Sequence, residues 1–371
     1  MWQDHQEASP WDEPRRRISI SLDSKVFTAE APEGVGSEKY DASAAAMIAL
    51  LKYGSGLPFN RLEGLQGNLA IPLPASTQWD LIDAAAPQIA PAHEELIRQA
   101  AQGEVLHNDD TTVKILEFMG KRARPCALAE NPPSDSSPPS TEPATVEPDS
   151  SGRRGLFTSG VVSTREGCRI ALFFSGRQHA GENLADVLRR RAAELGPPIQ
   201  MCDALSRNQS APRDQGGAFE EDRGDRSVED LPTALRTILA NCLAHGRRRF
   251  VEVAPRFPEE CRYVLEELAK VYKNDALARE RKLSPKERLR FHQSESGPVM
   301  KRLQDWCIQQ LADRLVEPNS GLGEAIAYLL KHWMPLTLFL RRPGAPLDNN
   351  LCERALKRAI LHRKNAMFYK T

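Results

Sequence analysis

The chain has 371 residues and carries 50 Lys and Arg against 50 Asp and Glu, so any strongly charged surface must be local. Its 40% hydrophobic content excludes a wholly disordered chain, and apolar runs such as 44–51 and 326–330 are too short to span a bilayer. Seven scattered cysteines argue against a disulfide framework, and the polar start MWQDHQEASPWDEPRRR offers no secretory leader, so a reducing cytoplasm is the expected compartment.

Residues 1–40 are polar and read as an irregular segment. Residues 41–101 have a helical period: DASAAAMIALLKYG opens on an Asp that can cap and closes on a Gly that can stop a helix. A second helix is predicted over 76–86 and a third over PAHEELIRQAA. Three short helices suit a small DNA-binding unit and a plain structural bundle equally. After Gly103 the period changes, and EVLHND and VKILEF read as strands. The stretch NPPSDSSPPSTEPATVEPDS, within a loop taken as 128–153, offers no apolar face and is expected to be a disordered acidic segment.

Strand signals resume at GLFTSGVVS and CRIALFFSG. A helix follows in ENLADVLRRRAAEL, ended by Gly196-Pro197-Pro198, and then the strand IQMCD. Residues 206–230 are polar again, and from 231 to 340 the period is helical. The expected fold is α/β, with a catalytic domain over 102–371 that carries a mainly helical insertion at 206–340. Trp306 and Trp333 fall at core-like positions of that insertion.

Three acids occupy informative points: Asp109 after the first strand run, Asp203 at the end of the fourth, and Glu353 at the head of the last helix. In an RNase H-like sheet the first and fourth strands are neighbours, so Asp109 and Asp203 could sit side by side. A later helix could bring Glu353 to complete a set of hard oxygen ligands of the kind Mg²⁺ takes. Structural roles stay open for each. Asp109 or Asp110 could start a turn, Asp203 could cap a helix beginning at Ala204, and Glu353 could close a capping box on Asn350.

The final stretch PLDNNLCERALKRAILHRKNAMFYKT resembles the signature of the insertion sequence 66 family of DDE transposases. HNDDTTVKIL and PPIQMCDALSRN resemble its first and second aspartate motifs. NCLAHGRRRFVEV resembles the Cys-x-x-His-x-Arg-Arg block that follows, and LKYGSGLPFNRLEGLQ and PASTQWDLI resemble the segment upstream. The resemblance implies a mixed RNase H-like sheet flanked by helices and a metal-binding catalytic triad of Asp109, Asp203 and Glu353. It favours Asp109 over Asp110 as the ligand, since adjacent strand residues face opposite ways. It implies two Mg²⁺ ions, with Mn²⁺ as a substitute, and cleavage and joining of double-stranded DNA at element ends and target. Further implied are a homo-oligomer on DNA, accessory proteins of the element, no membrane, and a cytoplasmic, nucleoid-associated location. The same carboxylates would also serve a nuclease without strand transfer, and an inactive DNA-binding remnant is the other alternative.

Expected phosphate contacts are Arg354, Lys357, Arg358, Arg363 and Lys364 on the last helix and Arg247, Arg248 and Arg249 in the Cys-x-x-His block. Asn349 and Asn350 are expected to orient Glu353 or to cap its helix. The arginine triplets 15–17 and 189–191 are weaker DNA candidates. Cys242 and His245 have a zinc-like spacing without a second pair, which favours a core cysteine and a structural or phosphate-contacting histidine. His107 reads as a strand residue.

Overall fold

Apolar runs separated by turn residues form five strands of one sheet. They are β3 (Val105–Thr112), β4 (Phe157–Arg165), β5 (Cys168–Gly176), β6 (Ile199–Cys202) and β7 (Ile238–Asn241). The computed structural model describes residues 40–71, 73–115, 156–209 and 236–366, together with the backbone of β1 (Ser19–Ile20) and β2 (Val26–Phe27), an antiparallel pair. The acidic Pro/Ser segment, the polar stretch 210–230 and the arginine triplet 15–17 lie outside the described residues.

The chain divides into two units, 1–48 and 49–371. The helix α1 (Ala42–Ala49), all but its last residue in the first unit, begins where Asp41 Oδ1 accepts from the backbone N–H of Ser43 at 3.0 Å and of Ala44 at 3.1 Å, the cap its sequence predicts.

The second unit opens with a π-helical turn, Leu50–Gly54, and α2 (Phe59–Asn68). The two helices predicted over 76–86 and 91–101 form one helix, α3 (Ala75–Ala100), which runs through Pro87 and Pro91. Proline removes an N–H and leaves a carbonyl four residues back unbonded. Residues 83–94 are almost all exposed, so water can satisfy those carbonyls and the helix continues.

The sheet order is β5-β4-β3-β6-β7, antiparallel on the β4 side of β3 and parallel on the β6 side. Glu166 and Gly167, both at positive φ, make the two-residue β4–β5 turn that matches strand twist. β7 was not visible in the helical period read over 231–340. Its four residues pair with β6 and run directly into a helix, too short a stretch for alternation to register.

Helices cover both faces. On one, α3 and α4 (Ala180–Leu188) pack Ile97, Ala100, Leu184, Val187 and Leu188 against Leu106, Val161 and Leu172. The 180/184/187/188 spacing of α4 is that of a single buried helical stripe. On the other lie α5 (Leu243–Val253), α6 (Pro258–Glu280), α7 (Pro285–Glu295), α8 (Gly297–Ala312), α9 (Gly321–Lys331) and the short α10 (Trp333–Leu336). Their apolar faces meet Val105, Ile199, Met201 and Ala240 in the largest core cluster, with Trp306 and Trp333 partly buried against it. The last helix, α11 (Asn350–Ala366), lies across β3 and β4. Among the described residues no helix is long and apolar enough to cross a membrane.

Gly160 allows α11 its close approach. A Cβ built there would stand 3.0 Å from two Leu356 side-chain atoms and 3.3 Å from Cys352 Sγ. Gly160→Val is therefore expected to push α11 off the sheet and to cost about 1–3 kcal/mol, the usual range for overpacking, measured by denaturant unfolding. Stability equal to the unsubstituted chain would show that α11 yields freely.

Candidate active site

Alternation along β3 sorts its polar residues. Val105 and His107 face α5–α11, while Leu106 and Asn108 face α3 and α4. Asp109 and Asp110 continue this pattern on opposite faces. Asp110 is buried, its side chain 3% exposed, with Oδ2 2.8 Å from His179 Nδ1 and Oδ1 3.9 Å from Arg207 Nη2. It joins the middle of the sheet to the start of α4, and its site is full.

Asp109 Oδ1 accepts only the N–H of Asp110, at 2.8 Å, among the described contacts. Burial, and then the neighbouring charges of Asp203, Asp110 and Glu353, push its carboxyl up from 3.8 to about 7. β3 also runs on past both aspartates to Thr112 instead of stopping before them, so Asp109 is fixed by strand pairing opposite Gly160.

Asp203 follows β6 directly. The parallel register pairs His107 with Met201, and two residues further Asp109 comes level with Asp203. No α-helix starts at Ala204, so Asp203 is not the N-cap of one; a single 3₁₀ turn follows, Ser206–Asn208. Asp203 Oδ1 accepts from the Leu205 N–H at 3.2 Å and from Asn208 Nδ2. Asn208 is fully buried, and its carbonyl takes Asn108 Nδ2 at 2.7 Å and Gln200 Nε2 at 2.8 Å, which pins the turn to both β3 and β6. Asn208 lies five residues after Asp203 within the second aspartate motif, and sequence reasoning gave it no role. Asn208→Ala is expected to cost about 1–3 kcal/mol, as for a hydrogen bond to a charged group. Combined with Asp203→Asn the two losses should fail to add in denaturant unfolding; simple additivity would separate Asn208 from Asp203.

Glu353 reaches the site through Asn349. That residue is fully buried just before α11: Nδ2 donates to the Asn108 carbonyl at 3.1 Å, Oδ1 lies 3.2 Å from His107 Nδ1, and its N–H donates to Cys242 Sγ at 3.2 Å. Burial holds His107 down at about 4, so it serves as a neutral link and not as a base. The capping-box reading of Glu353 does not hold. The Asn350 N–H is taken by Asp348 Oδ1 at 3.1 Å and the Asn349 N–H by Cys242, so neither is left for Glu353. Asn350 also donates from its side-chain amide to Asp348 Oδ2, at 2.7 Å.

The Glu353 side chain is 30% exposed, with Oε1 3.9 Å from His245 Nδ1. Among the described residues, the one set of three ligand atoms all within 4.8 Å of one another is Cys242, His245 and Glu353. The charges of Asp203 and Glu353 act on the Asp109 carboxyl, but these three carboxylates do not form such a set among the described residues.

The profile described as "Transposase IS66 family" matches residues 38–126 and 228–371, more than half of the chain. The chain belongs to this family. Asp109 and Glu353 lie inside the matched segments of the IS66 family and Asp203 lies between them. Two curated relatives from Sinorhizobium fredii (strain NBRC 101917 / NGR234) are each described only as an uncharacterized protein. y4jD is 38% identical over 184 residues, 43% of this chain and 35% of its own length. y4hP is 26% identical over 341 residues, 87% of this chain and 51% of its own length. The chain thus spans about half or less of the relatives it matches. No solved structure matches.

The basic residues of this IS66-family chain separate by exposure. Arg354, Lys357, Arg358 and Lys364 are exposed on α11, and Arg247 and Arg248 are exposed on α5. Arg249, also exposed, stacks its guanidinium 4.0 Å over the Tyr328 ring. Arg363 is tied to β3, donating to Thr111 Oγ1 at 2.9 Å and to the Thr112 carbonyl. With Thr112, Lys114 and Lys364 it lines an open cavity of about 380 Å³. The triplet 189–191 is engaged internally: Arg189 with Asp186, Arg190 with Glu94, and Arg191 with the carbonyls of Ala101 and Gly103.

Proposed function

We propose that this chain is the catalytic part of an insertion-sequence transposase, acting on double-stranded DNA through Asp109, Asp203 and Glu353. The observation that carries the reading is the Asp109 carboxyl, held near 7 where it faces Asp203 and Glu353. Burial raises the proton affinity of that carboxyl, the charges of Asp203 and Glu353 add to the effect, and a bound cation would offset both. The donor set is all oxygen and so fits Mg²⁺, with Mn²⁺ as substitute. The strand order β5-β4-β3-β6-β7, with β3 central and parallel to β6, supports reading the sheet as RNase H-like.

Asp109, Asp203 and Glu353 would hold two ions, which when bound supply Lewis-acid stabilisation of a phosphate oxygen and activation of the attacking oxygen. The protein's own share is placement. Asn349 fixes the start of α11 against β3, and Asn208 fixes the Asp203 carboxylate. The cations of α11 and α5 would hold the DNA backbone on either side. In the first reaction a water oxygen bonds to phosphorus and the 3′ oxygen leaves as a hydroxyl. In the second that hydroxyl attacks a target phosphate and displaces another 3′ oxygen.

The test is an assay with DNA carrying the inverted repeats that flank the reading frame, in Mg²⁺. Cleavage together with joining of pre-cut ends is the expected result. Cleavage without joining would instead support a nuclease, and neither activity with retained DNA binding would support a remnant.

A further inference from the structure

We infer that Cys242, His245 and Glu353 form a second, softer cation site that takes Zn²⁺ and shares Glu353 with the carboxylate cluster. The binding claim stands on geometry alone; only its consequence for activity rests on the proposed function.

The three ligand atoms lie within 4.8 Å of one another, and His245 Nδ1 is 3.9 Å from Glu353 Oε1. Bond lengths of about 2.0–2.3 Å to Zn²⁺ imply ligand-to-ligand edges of roughly 3.3–3.8 Å in a tetrahedron, so closure shortens the widest separation by at most about 1–1.5 Å. Cys242 and His245 are set by the backbone. Cys242 directly precedes α5, its N–H bonded to the Cys202 carbonyl at 2.9 Å, and His245 stands one turn further on. The mobile member is Glu353, whose partly exposed side chain leaves a path from solvent.

Two independent features point to a ligand. His245 Nδ1 is buried with no hydrogen-bond partner, the kind of polar atom a folded protein seldom leaves unsatisfied. Cys242 Sγ already accepts the Asn349 N–H, the outer-shell contact that orients and steadies a ligating sulfur. The chemistry also sorts the two sites. Sulfur and imidazole favour Zn²⁺, whereas Asp109 and Asp203 offer only hard oxygens. A single carboxylate serves both, so Zn²⁺ held by Cys242 and His245 would draw Glu353 away from Asp109 and Asp203. Zinc would then act as an inhibitor of Mg²⁺-dependent chemistry.

The test uses the full chain, stripped of metal, titrated with Co²⁺ as a spectroscopic stand-in and then with Zn²⁺ against a chromophoric chelator. A thiolate-to-cobalt charge-transfer band that Zn²⁺ abolishes is expected for the unsubstituted chain. Cys242→Ser should lose the band, and His245→Gln, which alters a partly exposed residue, should weaken Zn²⁺ at least about tenfold. Asp109→Asn should leave Zn²⁺ affinity within about threefold. No thiolate band in the unsubstituted chain overturns the site, as does unchanged Zn²⁺ affinity in His245→Gln. Equal weakening by Asp109→Asn and His245→Gln overturns it too, by placing the ion among the aspartates. Because these readouts need no catalysis, an inactive chain that binds Zn²⁺ through Cys242 would refute the proposed function and leave this site standing.

Discussion

Glu353→Gln is expected to reduce Mg²⁺-dependent cleavage of element-end DNA at least about a thousandfold, since losing a ligand worth several kcal/mol costs about tenfold per 1.4 kcal/mol. Folding should survive, because Gln keeps the shape of Glu and no helix cap is lost. The backbone N–H groups of Asn349 and Asn350 already donate to Cys242 Sγ and Asp348 Oδ1. The first helical bond of α11, from the Glu353 N–H to the Asn349 carbonyl at 3.1 Å, is a backbone contact that the substitution leaves alone. Removing the charge also eases the repulsion felt by Asp109, so the melting temperature should hold or rise slightly. Cleavage within tenfold of the unsubstituted chain, in a preparation whose unsubstituted form is active, would remove Glu353 from the catalytic set.

The second large effect concerns stability without metal. Asp109 in the folded chain holds its proton up to about pH 7, against 3.8 ordinarily, mainly because it is buried and then because the charges of Asp203, Asp110 and Glu353 act on it. Between those two values the unfolded chain has released this proton while the folded chain keeps it. Folding therefore takes up a proton, and stability falls as pH rises from about 4 to about 7. The difference corresponds to an upper bound of ~4 kcal/mol, all of it lost by pH 8. Asp109→Asn removes the penalty. In chelator-treated protein it should raise stability at pH 8 by a few kcal/mol, with the gain shrinking toward zero near pH 4. Mg²⁺ should stabilise the unsubstituted chain at pH 8 and do far less for the Asn variant. Parallel pH profiles for the two proteins would show that Asp109 is not a strained carboxylate.

Much of the frame was legible in local sequence. The runs EVLHND, GLFTSGVVS, CRIALFFSG and IQMCD are strands because each concentrates β-branched and apolar residues between turn formers. The Asp41 cap was legible from its residue type, and a helix was legible at ENLADVLRRRAAEL, although α4 ends at Leu188. The split of Asp109 from Asp110 follows from strand geometry, which any strand through those residues would impose. Where α3 runs through Pro87 and Pro91, the sequence signal pointed the other way. A proline's effect depends on whether water can reach the carbonyls it strands, and exposure is a property of the fold.

The amino-acid sequence by itself determined the candidate site residues: one aspartate within a strand, one directly after another strand, one glutamate at the head of a basic helix, and a Cys-x-x-His pair. Tertiary structure alone decided what each of them faces. Asn208 and Asn349 hold Asp203 and α11 in place through partners up to 242 residues away, a reach that periodicity and spacing do not encode. Gly160 sets how closely α11 approaches Asp109, through the absence of one carbon. Glu353 stands beside His245 and Cys242 as well as within the field of Asp109, because the N-termini of α5 and α11 meet over the end of the sheet. A side chain's charge and softness are written in the sequence. Which other groups share its few cubic ångströms is fixed only when long-range packing brings them together.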